Sequence, residues 1–428
     1  MKRILPVMIL AGLFLMVVQI NRQSGAVLAI HFQEVMGLSA TQIGFISGAM
    51  YLGATLVQVP TGILFDRFGA RVTLSGMGVL AIIGLVWFAL SDQVFGLAAG
   101  RALVGIGHAG VITGIYMLAI AWTSAERMAS TSALVIGVAG GIGGVAATTP
   151  LAFMLEDFGF ASTFLALAVV TASATFAIWA LVRDQPLALA ANPLLGAGEK
   201  APLSQPESLR QSLIGVWQII RNPDLQKVII MGSCFSAPFT TIGGLWAGPY
   251  MTEVFALPRE QASYVLLAMM VAFNLGTVVY GPLDRYFNTR KYVVLGGVVV
   301  MVVLLITLAL LVDVHPAMAI VLLVVFAFFT PMYPVLMAHC RGFVPVAQAG
   351  RAITTVTLIG LGGVFVMQLG TGMVMDALRE GAGWSAADAY RVVFLIIALV
   401  LLLAASVYAR VRDIRPRPQA PAGGVAAP

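Results

Sequence analysis

Three ionisable side chains, Arg22, Arg101 and His108, interrupt long apolar stretches of this 428-residue sequence. An arginine fork binds a carboxylate or a phosphate through two parallel hydrogen bonds, and histidine titrates in the physiological pH range. No Asp or Glu lies in the interior of these stretches, so the natural partner of the two arginines is an anion that comes from outside the chain. These residue types therefore indicate an anionic substrate and one candidate proton site.

The apolar stretches reflect an unusual composition. Charged residues make up 10% of the chain and hydrophobic residues 60%, whereas an ordinary soluble domain has about 25% charged residues. A soluble fold of this size could not hide so much apolar surface, and two cysteines are too few for a disulfide framework. The composition thus excludes a soluble enzyme, a disordered chain and a secreted disulfide scaffold. It predicts an all-α polytopic membrane protein.

Twelve stretches are long enough to cross a bilayer, which takes about 20 apolar residues as a helix. Membrane β-strands are excluded, because a strand crosses the bilayer with only about 9–11 residues and these stretches are far longer. The twelve predicted spans are 4–32, 40–64, 72–91, 94–121, 129–155, 160–182, 225–250, 259–281, 291–312, 316–339, 352–375 and 387–409.

The distribution of Lys and Arg predicts the orientation of these spans. With the N-terminus inside, 19 of the 24 basic residues face the cytoplasm, three face outside and two lie within spans. Both termini are therefore expected to be cytoplasmic. The net charge of +6 is explained by this topology and gives no support to nucleic-acid binding.

The longest loop divides the chain into two halves. We expect an N-terminal six-helix half at 1–182, a cytoplasmic linker at 183–224, a C-terminal six-helix half at 225–410 and a cytoplasmic tail at 411–428. Ser208 and Gln211 have capping-box spacing, and an apolar face follows them, so the linker is expected to end in a helix that lies in the membrane interface. The alternative is that this segment simply begins span seven.

The two halves repeat with an offset of 219 residues, as from Gly62 to Gly281 and from Arg71 to Arg290. Six-span repeats are typical of secondary transporters, whose halves rock around a site near the middle of the membrane.

A loop after span two carries a family resemblance. Residues 62–71 read Gly-Ile-Leu-Phe-Asp-Arg-Phe-Gly-Ala-Arg, which resembles the signature loop of the major facilitator superfamily, G-x-x-x-D-R-x-G-x-R. A degenerate second copy contains Asp284, Arg285 and Arg290, with Asn288 in the place of the second glycine. The resemblance implies the twelve-helix fold of that superfamily, made of two six-helix pseudo-repeats, and transport by alternating access.

The signature loops are candidate gating elements. Gly62 is expected to let helices approach closely and Gly69 to permit a tight turn, while Asp66 can pair with Arg67 or Arg71 across the cytoplasmic face. The resemblance implies that this loop latches the state open to the outside. The alternative is a loop that only sets topology. The candidate gating residues are Gly62, Asp66, Arg67, Gly69, Arg71, Asp284 and Arg285.

Span five carries Gly137, Gly141 and Gly144, whose spacing predicts a flat face for close helix packing. These glycines also resemble a glycine-rich motif of antiporters in the superfamily, although the Gly-Pro pair of that motif is absent. Span eleven repeats the glycines, which favours a role in helix packing over a motif specific to antiporters.

Spans one, four, seven and ten line the central cavity in the superfamily. If that holds here, Arg22 and Arg101 share one chamber, each some 10–15 Å below the outer surface. Each arginine has an alternative role. Arg101 with Gly105 and Gly107 resembles the superfamily's span-four motif R-x-x-x-G-x-G, which implies a structural or proton-related element. Arg22 could extend to the outer interface. His108 is a candidate for proton coupling or a neutral hydrogen-bonding group. The other candidate substrate contacts are Gln19, Gln58, Trp246 and Asn274, and further positions that could line the chamber are Tyr51, Tyr116, Tyr333 and Gln368.

The predicted function is secondary active transport of a small organic or inorganic anion across a bacterial inner membrane or a membrane derived from it. The alternatives are proton-linked efflux of drugs or metabolites, an iron-related permease of a specialised membrane such as the magnetosome, and a scaffold or sensor with a transporter fold. The sequence predicts no enzyme activity, no cofactor and no metal site. The expected partners are a small-molecule substrate, the lipid bilayer and a coupling proton.

Overall fold

A computed structural model describes residues 4–122, 125–182, 209–345 and 348–416, and within these ranges every regular element is a helix. The helices before the linker are α1 Ile4–Gln23, α2 Gly25–Glu34, α3 Ala40–Leu90, α4 Val94–His108, α5 Val111–Trp122, α6 Ala125–Ala146, α7 Thr149–Phe158 and α8 Phe160–Leu181. The later helices are α9 Leu209–Arg221, α10 Pro223–Gly232, α11 Ala237–Thr241, α12 Ala247–Phe255, α13 Arg259–Tyr286, α14 Lys291–Leu310, α15 Pro316–Phe329, α16 Tyr333–Arg341, α17 Ala349–Asp376 and α18 Ala386–Tyr408. Two π-helical turns, Ile242–Trp246 and Ala377–Gly381, join α11 to α12 and extend α17.

These helices account for the predicted spans. In the described part of the chain, nine helices are long and apolar enough to cross a membrane, and up to eleven crossings result when each of two bent pairs is one span. One of the nine, α3, has 51 residues, whereas one crossing needs about 20. Its helical geometry breaks at Gly69, where the sequence predicts the loop between spans two and three. A total of twelve crossings stays a prediction that depends on this break.

The signature loops turn where the sequence predicts. Gly69 has φ 74° and ψ 179°, a conformation that is essentially restricted to glycine. At the corresponding place in the second copy, Asn288 has φ 50°, which asparagine tolerates better than most residues. The prediction of a tight turn at Gly69 is therefore confirmed. Gly62 faces open space in this conformation, so the close approach predicted at this glycine is not present here.

The described end of the linker forms a helix of its own. Helix α9 is separated from α10 by Asn222, whose side chain accepts hydrogen bonds from the backbone N–H groups of Asp224 and Leu225. Ile219 of α9 is buried against the protein, while Trp217 is exposed. The segment is thus a distinct helix rather than the beginning of α10, and its position in the membrane interface stays a prediction. Ser208 and the rest of 183–208 lie outside the described residues.

The two predicted halves approach each other at backbone distance in several places. A Cβ atom on Gly25 would lie 2.3 Å from the carbonyl oxygen of Gly244, and one on Gly44 would lie 2.4 Å from that of Gln368. Such distances exclude any larger residue without a backbone shift. Spans one and seven, and spans two and eleven, therefore pack closely at these glycines.

The end of α18 is tied to the second signature loop. Asp413 accepts hydrogen bonds from the Thr289 hydroxyl (2.6 Å) and from the backbone N–H groups of Arg290 (3.2 Å) and Lys291 (3.1 Å). Arg290 also lies 3.3 Å from Asp284. Burial alone would raise the pKa of Asp413, but these hydrogen bonds outweigh it and hold the pKa below its ordinary value. The carboxylate caps α14 and fixes the chain that follows α18.

The Gly69→Ala variant is predicted to be less stable by roughly 1–3 kcal/mol, because a Cβ atom strains this backbone conformation. The measurement is the apparent melting temperature of the purified protein in detergent. Gly76→Ala is the matched control, since Gly76 lies in the same helix with open space around it. Equal melting temperatures for the two variants would contradict the strain assigned to Gly69.

The Asp413→Asn variant is predicted to lose roughly 1–2 kcal/mol of stability at neutral pH, because it weakens charge-assisted hydrogen bonds. The folded pKa lies below the unfolded one, so the stabilisation is present at neutral pH and is lost as the pH falls through the folded pKa, below about 4. Melting temperatures of wild type and variant should therefore converge in acid. A constant difference between pH 7 and pH 3 would show that the carboxylate charge has no part in the effect.

Candidate functional site

Span one is broken at a polar group made of Gln19, Asn21, Arg22, Gln23 and Ser24. Helices α1 and α2 meet at Ser24 with a bend of 44°. The Ser24 hydroxyl donates to the carbonyl oxygen of Asn21 (2.9 Å), and the Asn21 amide donates to that of Val17 (2.9 Å). Both side chains are fully buried. Polar side chains thus take over hydrogen bonds that a straight helix would make with its own backbone.

Span seven is irregular at the position that faces this break. Its π-helical turn Ile242–Trp246 contacts α2, where Gly25 meets Gly244. The repeat offset of 219 residues relates Ser24 to Gly243, so the two irregularities are at equivalent positions of the two halves. π-Turns occur frequently at functional sites.

Spans four and ten are also interrupted at nearly equivalent positions. Helix α4 ends at His108 and α5 begins at Val111, whereas α15 ends at Phe329 and α16 begins at Tyr333. In transporters built from repeats, such discontinuous helices place backbone groups and side chains around the substrate. The interruptions in spans one, four, seven and ten therefore define the candidate site.

Arg22 lies at the break of span one and is partly buried. Among the described residues its guanidinium has no hydrogen-bond or ion-pair partner. Its backbone carbonyl accepts a hydrogen bond from the Tyr51 hydroxyl (3.0 Å), and its charge interacts with the phenols of Tyr51 and Tyr333. Tyr333 is the first residue of α16. Arg22 thus presents an unpaired cation to both halves of the protein.

Arg101 has a different environment. It is 1% exposed, and its guanidinium donates to the carbonyl oxygen of Asn21 (2.9 Å) and lies 3.4 Å from the Ser24 hydroxyl. The guanidinium carbon lies 5.6 Å from the centre of the Phe88 ring, which allows a cation–π contact. Arg101 therefore holds the break of span one in this conformation, as the structural alternative for this residue expects.

His108 closes α4 in an apolar environment. It is 1% exposed, and its ring meets that of Phe14 edge to face with 6.2 Å between the ring centres. Neither ring nitrogen has a hydrogen-bond partner in the described structure. The imidazole therefore lies in apolar surroundings, with both ring nitrogens free of hydrogen bonds to the described residues.

The remaining predicted substrate contacts occupy several places. Trp246 is buried and its indole N–H donates to the Thr371 hydroxyl (2.8 Å), so this group is occupied by span eleven. Gln19 faces span five, because a Cβ atom added at Gly143 would lie 2.9 Å from the Cβ atom of Gln19. Asn274 donates to the carbonyl oxygen of Met270 (3.0 Å). Gln58 is partly buried on α3.

The predicted glycine face of span five contacts span eight at two of its three glycines. Cβ atoms on Gly141 and Gly144 would lie 3.5 Å from Asn274 and 2.7 Å from the sulfur of Met270, respectively. Gly137 faces open space. The two glycines allow contact between the halves, whereas the third makes no close approach here.

The predicted pairing of Asp66 is not present in this conformation. Asp66 is exposed and has no hydrogen-bond or ion-pair partner among the described residues. Arg71 instead donates to the carbonyl oxygen of Trp179 (2.6 Å) and lies over its ring, and Arg67 lies over Phe68. Arg285 of the second copy is exposed. The gating role of the signature loop stays a prediction for a different conformation.

Sequence reasoning missed a set of polar contacts at the face opposite the signature loops, which the orientation prediction makes the outer face. There Asp376 at the end of α17 accepts three hydrogen bonds from Ser39, Ala40 and Thr41 at the start of α3. The spacing of Ser39 and Gln42 is a capping-box signal that could have located this helix start. Nothing local indicates Asp376, which lies 337 residues from Ser39. No group of three or more His, Cys, Asp or Glu side chains in the described ranges is placed to hold a metal ion.

Two relatives carry names that concern anions. The "Probable anion transporter 4, chloroplastic" of Oryza sativa subsp. japonica is 25% identical over 60% of this chain, which spans 44% of that protein's length. The galacturonate transporter of Dickeya chrysanthemi is 24% identical over 66% of this chain and 84% of its own length.

A similar fold occurs in a solved bacterial homologue of the human lysosomal transporter Spinster, in an inward-facing and occupied conformation. That structure superimposes with a TM-score of 0.74 at 15% identity, and the alignment covers 96% of this chain and 97% of the other. At this identity the likeness concerns the fold alone. The profile of the Major Facilitator Superfamily matches residues 7–247 and 228–428. The chain is therefore a transporter rather than an enzyme, and it belongs to the Major Facilitator Superfamily.

Proposed function

We propose that this secondary transporter moves a small organic anion, a carboxylate of about the size of a sugar acid, by alternating access. The observation that carries the proposal is the guanidinium of Arg22, which has no partner among the described residues although it lies at the break of span one. An unpaired charge within a membrane protein is costly and is kept where it has a function. A carboxylate matches the planar fork of an arginine.

The surroundings of Arg22 favour a substrate with one negative charge. Arg101 already donates to the Asn21 carbonyl and packs on Phe88, so it holds the break, and Arg22 is the guanidinium of the pair that has no partner among the described residues. His108 lies between apolar neighbours without a hydrogen-bond partner. One free cation is balanced by one carboxylate, whereas a dianion would leave a charge uncompensated.

Tyr333 offers a second contact from the other half of the protein. Its hydroxyl lies 3.2 Å from the Thr357 hydroxyl, and its ring packs on Phe235 with 4.6 Å between centres. Such a pair of hydroxyl groups can bind the hydroxyls of a sugar acid while Arg22 binds its carboxylate. A substrate held from both halves stabilises the state in which they close around it.

The names of the relatives support this substrate class, since one is a galacturonate transporter and another is named for anions. Efflux of cationic drugs is a weaker proposal, because no carboxylate of the described spans faces Arg22. We further propose a bacterial inner membrane as the location, with both termini in the cytoplasm, and coupling to protons through His108.

The Arg22→Gln variant is predicted to weaken binding and uptake of galacturonate by about 10- to 150-fold, because the loss of hydrogen bonds to a charged group costs about 1.5–3 kcal/mol. The measurement is uptake of labelled galacturonate into proteoliposomes, with other sugar acids, inorganic anions and cationic drugs as competitors. Arg210→Gln is the control, since Arg210 is exposed on α9.

Arg101→Gln separates substrate binding from support of the fold. It should lower the melting temperature, because the Asn21 carbonyl loses one of its two donors, whereas Arg22→Gln should leave it unchanged or raise it. Unchanged anion transport by Arg22→Gln, or inhibition by cationic drugs but by no anion, would contradict the proposed substrate class.

The His108→Gln variant tests the proposed proton coupling. If His108 carries the proton, the variant should lose accumulation driven by an imposed pH gradient and keep exchange of labelled for unlabelled galacturonate, which needs no net proton movement. Both assays use the same proteoliposomes, and Phe14→Leu controls for altered packing around the ring. Gradient-driven accumulation equal to that of the wild type would assign the coupling to another group.

A further inference from the structure

A carboxylate of the C-terminal half caps a helix of the N-terminal half at the outer face. Asp376, the last residue of α17, accepts hydrogen bonds from the Ser39 hydroxyl (2.7 Å) and from the backbone N–H groups of Ala40 (2.9 Å) and Thr41 (2.8 Å). Ala40 is the first residue of α3. The first N–H groups of a helix have no partner within the helix, and a negative charge is favourable there. Asp376 thus satisfies the start of α3 from the opposite half.

Other contacts gather around this cap. Glu253 at the end of α12 binds Arg379 (2.8 Å) and Gln33, and Glu34 of α2 pairs with Arg259 at the start of α13. The Arg379 pair lies within the C-terminal half, so it can persist when the halves separate. The contacts of Glu253 with Gln33, of Glu34 with Arg259 and of Asp376 with α3 join the two halves.

The Asp376 cap has the most partners among these contacts and lies beside a close backbone approach of the two halves. A Cβ atom on Gly372 would lie 2.4 Å from the carbonyl oxygen of Ala40, so α17 and α3 meet directly beside it. A polar cavity of about 520 Å³ opens next to the cap. Its lining includes Gln33, Ser39, Trp246, Glu253, Asp376 and Arg379. Water in this cavity can replace the hydrogen bonds of Asp376 when the helices move apart.

The opposite face shows the reverse arrangement. Asp66 is exposed and without a partner among the described residues, and Gly62 and Gly281 face open space. The polar contacts between halves described above thus lie at the outer face, while Asp66 of the first signature loop has no partner among the described residues.

We propose that Asp376 is a latch that holds the outer face closed and must release α3 before that face can open. The latch is a property of the alternating access proposed above, but it does not depend on the identity of the substrate. Its removal stabilises the state open to the outside relative to the state described here. Glu253 and Arg379 keep the outer ends of α12 and α17 together during opening.

The latch is tested by the distance between the outer ends of the two halves. Spin labels are attached at Phe95→Cys and Val314→Cys, two exposed positions outside the cap. Double electron–electron resonance in lipid nanodiscs then reports the distance between the labels. Asp376→Asn should shift the population toward the longer distance by about tenfold, because a carboxamide keeps one acceptor and turns an N–H donor toward other donors. Asp388→Asn is the matched control, since Asp388 binds Ser385 and Arg391 of its own helix end.

A second variant keeps the carboxylate and removes one donor. Ala40→Pro deletes the N–H group that Asp376 Oδ1 accepts, and proline is well tolerated at the first position of a helix. The extended backbone of Ser39 (φ −70°, ψ 161°) suits a following proline. Because the proline Cδ also takes the place of Asp376 Oδ1, this variant should shift the population in the same direction by a similar factor, and it replaces Asp376→Asn if that variant does not fold.

The proposal is overturned if folded Asp376→Asn, or Ala40→Pro in its place, has the same distance distribution as wild type and Asp388→Asn. A shift in a protein that transports no anion would support the latch and contradict the proposed substrate. Anion transport with no shift in the distance distribution would support the proposed substrate and contradict the latch.

Discussion

The hydrogen bond from Arg101 to the Asn21 carbonyl is the interaction on which the candidate site depends. A break in a membrane helix leaves carbonyl groups that water cannot reach, and each unsatisfied group costs several kcal/mol in hydrocarbon. Arg101 and Ser24 satisfy this carbonyl at 2.9 Å each. The bend of 44° between α1 and α2 is thereby maintained, and Arg22, which follows Asn21, is held at the break with its guanidinium unpaired among the described residues.

The two halves satisfy the backbone groups at the irregular positions of spans one and seven in different ways. In the N-terminal half the break of span one is satisfied by buried polar and charged side chains, whereas in span seven a π-helical turn keeps the backbone bonded to itself. The neutral groups of the second half, such as Trp246 with Thr371 and Gln368 with the Thr240 carbonyl, are paired within that half. The charge therefore resides in one half, and the other closes on it with hydroxyl and aromatic groups.

Hydropathy and charge were sufficient to predict the membrane class, most helix positions and the turn at Gly69, because these depend on local sequence. The interruptions at residues 109–110 and 330–332 were not predicted, and neither was the helix break at Ser24, although residues 21–24 are polar and Pro331 is a helix-breaking residue. The partner of Arg101 lies 80 residues away and that of Trp246 lies 125 away. Consequently the sequence identified both arginines but could not show which one is occupied by the fold.

Alternating access requires two closures of similar free energy, because a transporter locked in one state does not turn over. Apolar packing alone would make a poor switch, since opening it exposes surface at a cost proportional to area. The proposed outer closure combines close glycine contacts with carboxylates at the water boundary, whose hydrogen bonds would be exchanged for bonds to water as the helices part. In the proposed mechanism, a small free-energy difference between the states lets one bound carboxylate at Arg22 shift the balance between them.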